Sequence, residues 1–302
     1  MLKRKAFNRI FFSTIAFFIV FALYNLKIVD NNSNDNNEKV SDDQTETIYT
    51  LNSNNYISGT DVYVGKFYTL QDKIKEKLEI MTEENNKNAF LPSYFKPILP
   101  ENTKVLDVVV EDSLVKVYFS KELNNITEEQ SEKMIEAIIY TITDENILGI
   151  EIYVDGQILK YIPHTKKELP TLLTKDFGIN KVYEIFGLDD ITKIVMTYYM
   201  DCGNSFCEVP VTKYLNDSRE PLEIIFEEFK TISDDSKLVS LLDNTNVLNY
   251  QISKNSIEIN LDNDIMKEER NLIFSSVFNN YDVKKITILV NNQKKYEKNI
   301  EK

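Results

Sequence analysis

The sequence is poor in the residues that cofactor and metal chemistry most often needs. Among 302 residues there are no tryptophans, one histidine, two cysteines and seven glycines. So few Cys and His residues cannot fill a zinc site built from them, and neither G-x-G-x-x-G nor G-x-x-x-x-G-K-[ST] is present for binding phosphate. A net charge of -13 also argues against nucleic acid, which attracts basic surfaces. We therefore expect no cofactor, no metal and no nucleic-acid partner.

The first 29 residues differ from the rest of the chain. Four basic residues within positions 3–9 precede an apolar run over residues 10–26, which residues 28 and 29 extend. A run of about 20 residues is long enough to cross a bilayer, and the basic flank predicts a cytoplasmic N-terminus with everything after it outside. We interpret residues 1–29 as a cytoplasmic tip and a single-pass transmembrane anchor in the cell membrane. The alternative is a cleaved signal peptide, although small residues are missing around positions 22–25.

A polar segment follows the anchor. Residues 30–47 are mostly Asn, Asp, Ser, Glu and Gln, which cannot bury enough apolar surface to offset the entropy of ordering. We therefore interpret residues 30–56 as a tether that holds a folded part away from the membrane.

The remainder of the chain is duplicated. Residues 102–106 (NTKVL) recur as residues 244–248 (NTNVL), and each copy is followed by a strand pattern of strict apolar and polar alternation. Turns are predicted near residues 111–113 and 254–255. An amphipathic helix and a last strand follow each hairpin.

This duplication predicts the fold class and the domains. We expect an α+β protein of two tandem similar domains, each a mixed, mostly antiparallel sheet packed with two helices. The boundaries are 57–160 for the first domain, 161–190 for a connector and 191–302 for the second domain. Strands are predicted at 61–68, 193–200 and 208–214, and a short amphipathic stretch is predicted at 182–186.

Two cysteines enclose a four-residue turn between predicted strands. In an exported chain, Cys202 and Cys207 are placed to form a disulfide across that turn. The alternative to the disulfide is that both cysteines are free thiols.

Other candidate residues have ordinary structural interpretations. His164 is most simply a connector residue, since no G-x-S-x-G motif accompanies it. The acidic run at 262–264 resembles a calcium loop superficially but lacks its Gly and distal Glu, so we predict a strand end and a helix cap. Paired carboxylates at 83–84 and 227–228 would suit a glycosidase only if they faced each other across a cleft. We predict no catalytic, cofactor-binding or metal-binding residues.

Open sheet edges are the more informative surface. A small sandwich with helices on one face leaves strand edges unpaired, where partners or sister copies can add a strand. The lysine-rich segment 292–298 is typical of an edge protected against such pairing.

Several segments resemble a known family. Residues 91–95 (LPSYF), 99–105 (LPENTKV) and 115–120 (VKVYFS) are similar to the GerMN domain, and residues 162–164, 172–180 and 209–214 resemble the interdomain segment and an early second-domain strand of GerM-type sporulation and spore germination proteins. The resemblance covers about residues 57 to 295. Such proteins often carry a lipobox cysteine after the apolar run, which is absent here because the first cysteine is Cys202.

The resemblance implies a non-enzymatic role. Proteins of this family are exported to the space between mother cell and forespore, and they resemble ring-building components of the complex that joins the two cells. We expect a membrane-anchored assembly protein with protein partners or self-assembly, and domains facing the forespore. The alternative is a protein that modifies or binds peptidoglycan.

Overall fold

The computed structural model describes residues 45–300 apart from positions 68, 85, 144, 145, 204, 205, 232–236, 240, 241, 243 and 244. The anchor at 1–29 and residues 30–44 of the tether lie outside the described residues. No helix in the described part of the chain is long and apolar enough to cross a membrane.

The first half begins with a hairpin, which is followed by a helix, a second hairpin, a second helix and two last strands. Its strands are β1 (Thr45–Asn52), β2 (Ile57–Tyr63), β3 (Phe95–Lys96), β4 (Val105–Glu111), β5 (Leu114–Phe119), β6 (Gly149–Val154) and β7 (Gln157–Ile158), and its helices are α1 (Leu70–Ile80) and α2 (Glu128–Ile142). Short 3-10 turns lie at Asn86–Phe90 and Lys121–Asn125.

The second half repeats this order. A 3-10 turn at Lys175–Phe177 and strand β8 (Val182–Glu184) lead into it. Its strands are β9 (Ile191–Asp201), β10 (Phe206–Asn216), β11 (Val247–Ser253), β12 (Ser256–Leu261), β13 (Lys285–Val290) and β14 (Gln293–Asn299), and its helices are α3 (Pro221–Glu228) and α4 (Lys267–Asn280).

The two halves have the same sheet topology. Their four-stranded sheets have the orders β4-β5-β6-β7 and β11-β12-β13-β14. The helix crossover makes β5–β6 and β12–β13 parallel, while every other neighbour in these two sheets is antiparallel. Even the irregularities match, because β4 shifts register between Val105 and Asp107 and β11 shifts between Val247 and Asn249. The predicted α+β duplication and both predicted hairpin turns are confirmed.

Each half has its own hydrophobic core. One cluster of buried side chains runs from Ile48 to Ile179, and the other from Ile194 to Ile288. In α2 the predicted apolar face is buried, including Met134, Ile135 and Ile138. Burial of such side chains is worth about 1.5–3 kcal/mol each, which makes these faces the main source of stability.

The end of the predicted tether is corrected by the structure. Residues 45–52 form β1, which pairs with β2 over residues 45–51. The composition of this segment did not predict a strand because two of its buried residues are polar. Thr50 donates to the Lys96 carbonyl at 2.6 Å and Asn52 donates to Ser58 at 2.9 Å, so both are satisfied in the core. Strand β2 also begins earlier than the predicted strand at 61–68.

The predicted connector at 161–190 packs against the first core. Ile162, Leu169, Leu173 and Ile179 all belong to the first core. The stretch at 182–186, predicted to be amphipathic, is strand β8 at its start, and it pairs in parallel with β10. The predicted strands at 193–200 and 208–214 are confirmed as β9 and β10.

Candidate assembly surfaces and the domain junction

Asn180 joins the two halves of the described chain. Its Oδ1 accepts from the backbone N–H of Ile57 in β2 at 2.9 Å, and its Nδ2 donates to the carbonyls of Ile57 and Pro210, each at 2.8 Å. Pro210 lies in β10, so one side chain links a strand of each half. Asn180 has a φ of 46°, a left-handed conformation that asparagine tolerates better than most residues.

A buried carboxylate supports Asn180 from α2. Glu136 is only 2% exposed, and its Oε2 accepts from the backbone N–H of Asn180 at 2.9 Å. The Nζ of Lys181 lies 3.3 Å from Glu136 and 2.7 Å from Glu132. Burial raises the pKa of Glu136, and the attraction of Lys181 offsets only part of that effect. The junction is therefore a hydrogen-bonded ionic network whose parts depend on one another.

The outer edges of the first hairpin of each half are closed by side chains. In the first half, Thr141 of α2 accepts from the Tyr49 N–H at 2.8 Å. In the second half, Asn280 of α4 accepts from the Val195 N–H at 2.9 Å and donates to the Val195 carbonyl at 2.8 Å. Ser276 accepts from the Thr197 N–H at 2.9 Å. Helix side chains thus occupy backbone groups that would otherwise be open to strand addition.

The four-stranded sheet of the second half has two unlike edges. Strand β14 is one edge and carries Lys294, Lys295 and Lys298, as expected for a protected edge. Strand β11 is the other edge, and its sequence VLNYQIS has no charged residue. Leu248 and Ile252 of β11 are exposed. This uncharged edge has the character that favours strand addition by another chain.

The cysteine pair lies at the end of the β9–β10 hairpin. Cys202 and Cys207 are joined by a disulfide with Cα atoms 5.8 Å apart. Both residues are buried, and Cys207 is opposite Met200 in the strand register. The bond closes the tip of the hairpin.

The acidic run at 262–264 follows β12 and is used to close a loop. Asp262 accepts from the backbone and side chain of Asn246, at 2.8 and 2.7 Å, and these hydrogen bonds lower the pKa of Asp262. Asp264 accepts from the Tyr296 hydroxyl at 2.6 Å. The carboxylates therefore have structural partners, and the cap residue of α4 is Met266 rather than a member of the run.

The other sequence candidates lie apart. His164 of the connector has its Nε2 2.8 Å from the carbonyl of Asn124, which lies in the 3-10 turn at Lys121–Asn125. Glu227 is paired with Arg219, and Glu228 is paired with Lys213. Glu84 shares a hydrogen bond with Glu101, which raises the pKa of Glu84. The two carboxylate pairs thus have separate partners in the two halves.

A cleft does hold two carboxylates that the sequence did not single out. Asp61 of β2 and Glu208 of β10 both line a cleft of about 770 Å³. Asp61 accepts from Thr47 at 2.7 Å, and Glu208 accepts from Ser275 at 3.1 Å. Burial, with these two charges, raises the pKa of neighbouring Tyr49 to about 12. The two acids come together because β2 and β10, which belong to different sheets, pack against each other across the junction.

Comparison with known proteins agrees with this architecture. Residues 47–160 match the family model Germane, described as sporulation and spore germination. The match begins inside β1, which supports the corrected start of the first domain. The chain is 25% identical over 177 residues to the spore germination protein GerM of Bacillus subtilis (strain 168), covering 57% of this chain and 47% of that protein. The chain thus spans about half the length of this curated relative in the match.

Solved structures extend the likeness to both halves. The tandem GerMN domains of the sporulation protein GerM from Bacillus subtilis match with a TM-score of 0.75 and 22% identity, covering 83% of this chain and 92% of that one. The first GerMN domain of that protein alone matches with a TM-score of 0.41 and 21% identity, over 44% of this chain and 98% of that one. The described chain therefore has the fold of two GerMN domains in tandem. In sequence and fold it is similar to GerM-type sporulation and spore germination proteins.

Proposed function

We propose that this protein is a non-enzymatic, membrane-anchored and exported component of an envelope complex between mother cell and forespore. The apolar segment at 10–29 anchors it in the cell membrane, with the N-terminus in the cytoplasm and the GerMN domains outside. The domains contact neighbouring proteins, and the anchor keeps them concentrated at the membrane.

The observation that carries this proposal is the contrast between the two edges of the second sheet. Strand β14 is protected by lysines, whereas β11 at the opposite edge is uncharged and has exposed Leu248 and Ile252. When one edge strand is protected by charge and the opposite edge strand is uncharged, another strand can add to the sheet at the uncharged edge only. That asymmetry suits an assembly protein better than a freely diffusing one.

The experiment places a charge on each edge. Ile252→Lys puts an ammonium group on the uncharged edge and is expected to abolish recruitment of the fluorescently tagged protein to the mother cell–forespore boundary. Gln293→Lys is the matched control, because it adds the same charge to β14, where lysines are already present. If the Ile252→Lys variant is recruited normally and has the circular dichroism spectrum of the wild type, the β11 edge is not the surface through which the protein assembles.

The cleft that contains Asp61 and Glu208 is the specific observation in favour of the alternative, a peptidoglycan-modifying enzyme. Two carboxylates in one cleft are the minimum that glycoside hydrolysis needs. We expect Asp61→Asn and Glu208→Gln, tested singly, to support normal sporulation. If either change abolishes sporulation while the protein remains correctly placed, an enzymatic role replaces the assembly role.

A further inference from the structure

A loop that directly follows β8 presents two large apolar side chains to solvent. We call residues 185–190 the Phe186 loop. Phe186 is 98% exposed and Leu188 is 89% exposed. Isolated exposed apolar residues are normal on protein surfaces, but contiguous apolar patches mark interaction sites. Here two nearly bare side chains lie two positions apart in one short loop.

The backbone of the Phe186 loop is held in place by Asn216 at the end of β10. The Oδ1 of Asn216 accepts from the N–H groups of Phe186 and Gly187, at 2.6 and 3.3 Å. Its Nδ2 donates to the carbonyls of Gly187 and Asp189, at 3.2 and 2.5 Å. Because four hydrogen bonds hold the loop backbone, binding does not have to order that backbone, which lowers the entropic cost of binding.

Exposed apolar side chains also lie in β8, directly before the loop. Tyr183 is 62% exposed and stacks on Tyr214 of β10, with ring centroids 4.9 Å apart. Among the described strands, β8 pairs with β10 alone, so its outer edge faces away from the sheet. A partner therefore meets a strand edge, a stacked tyrosine and two apolar anchors side by side, and aromatic anchors of this kind dominate binding energy at interfaces.

Charge decides which class of partner fits. Asp189 and Asp190 are exposed within the loop, and the chain as a whole carries a net charge of -13. Anionic lipid and a second copy of this acidic chain are both disfavoured by like-charge repulsion. Glu184 beside the loop is paired with Lys213 at 2.8 Å. Asp217, whose N–H donates to the Asp190 carbonyl, is paired with Arg219 at 2.6 Å. Asp189 and Asp190 are therefore the acidic groups that the loop itself presents.

We propose that the Phe186 loop is the docking surface for a protein whose apolar pocket has a basic rim. Phe186 and Leu188 enter the pocket, and Asp189 and Asp190 face the basic side chains. This assignment rests on the proposed assembly function and names the surface and the chemistry through which one partner is engaged.

The first step of the test is site-specific photo-crosslinking in the producing cells. The photoreactive residue p-benzoyl-phenylalanine replaces Phe186 in the full chain, and in a control it replaces Tyr161, which is 49% exposed in the connector. We expect one protein to be cross-linked from position 186 and absent from position 161. That protein is then purified, and its binding to the full chain is measured by isothermal titration calorimetry.

The second step measures how binding depends on the loop. Phe186→Ser with Leu188→Ser is expected to weaken binding at least about tenfold. Tyr161→Ser with Leu148→Ser removes the same types of side chain from other exposed positions and should leave binding unchanged. Because the partner rim is basic, affinity for wild type should fall as salt rises, and Asn216→Ala should weaken binding by less than the double change.

Three results would overturn the assignment. These are cross-links from position 186 only to this chain itself, cross-links only to lipid, and binding that the double serine change leaves as it was. The proposed function fails separately, if the wild-type protein is not recruited to the mother cell–forespore boundary. If the wild-type protein is recruited and the double serine variant is fully functional, the docking role of the Phe186 loop is wrong while the proposed function stands.

Discussion

The replacement of Asn180 by alanine tests the junction between the two halves of the described chain. Asn180→Ala leaves the N–H and carbonyl of Ile57 and the carbonyl of Pro210 without their side-chain partner. At about 1 kcal/mol for each hydrogen bond, the loss is about 3 kcal/mol. An alanine in the left-handed conformation adds about 1 kcal/mol, so the free energy of unfolding should fall by about 4 kcal/mol in total.

A matched control separates the two contributions. Asn55 has a φ of 63° and is exposed, so Asn55→Ala carries the conformational cost of about 1 kcal/mol without the buried hydrogen bonds of Asn180. Urea unfolding followed by far-ultraviolet circular dichroism should therefore show a difference of about 3 kcal/mol between the two variants. In thermal unfolding, that difference corresponds to a melting temperature lower by about 6–12 °C.

The junction argument also predicts the shape of the transition. If Asn180 couples the halves, its removal should separate one cooperative transition into two, because each half has its own core. Equal destabilisation by Asn180→Ala and Asn55→Ala, with the transition unchanged, would refute the junction.

Three other perturbations follow from the same contacts. Burial raises the pKa of Glu136 above its ordinary 4.5. Just above pH 4.5 the folded state therefore still binds a proton at Glu136 that the unfolded chain has released, and the stability that this proton contributes is lost as the pH rises further. Glu136→Gln should remove that dependence, so the wild-type free energy of unfolding minus that of the variant should decline from pH 4.5 to pH 7; a constant difference would contradict this. Reduction of the Cys202–Cys207 bond, whose sequence separation is 5, should lower the free energy of unfolding by about 2 kcal/mol, and a urea midpoint that dithiothreitol does not move would be inconsistent with a stabilising bond. Asn216→Ala should speed amide hydrogen exchange at Phe186 and leave β10 protected, and unchanged exchange would show that Asn216 does not hold the loop.

The repeated parts of the fold were predictable because the same pattern occurs twice. Strands β5 and β12 alternate residues that face the core with residues that face solvent, and a turn signal precedes each of them. Strand β1 was missed because Thr50 and Asn52 are polar by composition and are buried only through hydrogen bonds that form in the folded state. Lys96, the partner of Thr50, lies 46 positions away in the chain, and the local sequence pattern contains no information about it.

The junction and the Phe186 loop show the same limit. Asn180 is recognisable only when Ile57 and Pro210 lie on either side of it, and these partners are 123 and 30 positions away in the chain. The exposure of Phe186 likewise depends on Asn216, which fixes the loop from the end of another strand. The amphipathic stretch predicted at 182–186 was close to this surface, but its pattern resembled that of an ordinary packed segment.

Time-lapse imaging of a fluorescent fusion to the full chain tests the central claim most directly. The account predicts that the fusion enters the membrane of the producing cell and gathers at the mother cell–forespore boundary during sporulation. A fusion that stays evenly distributed over the cell membrane throughout sporulation would contradict it.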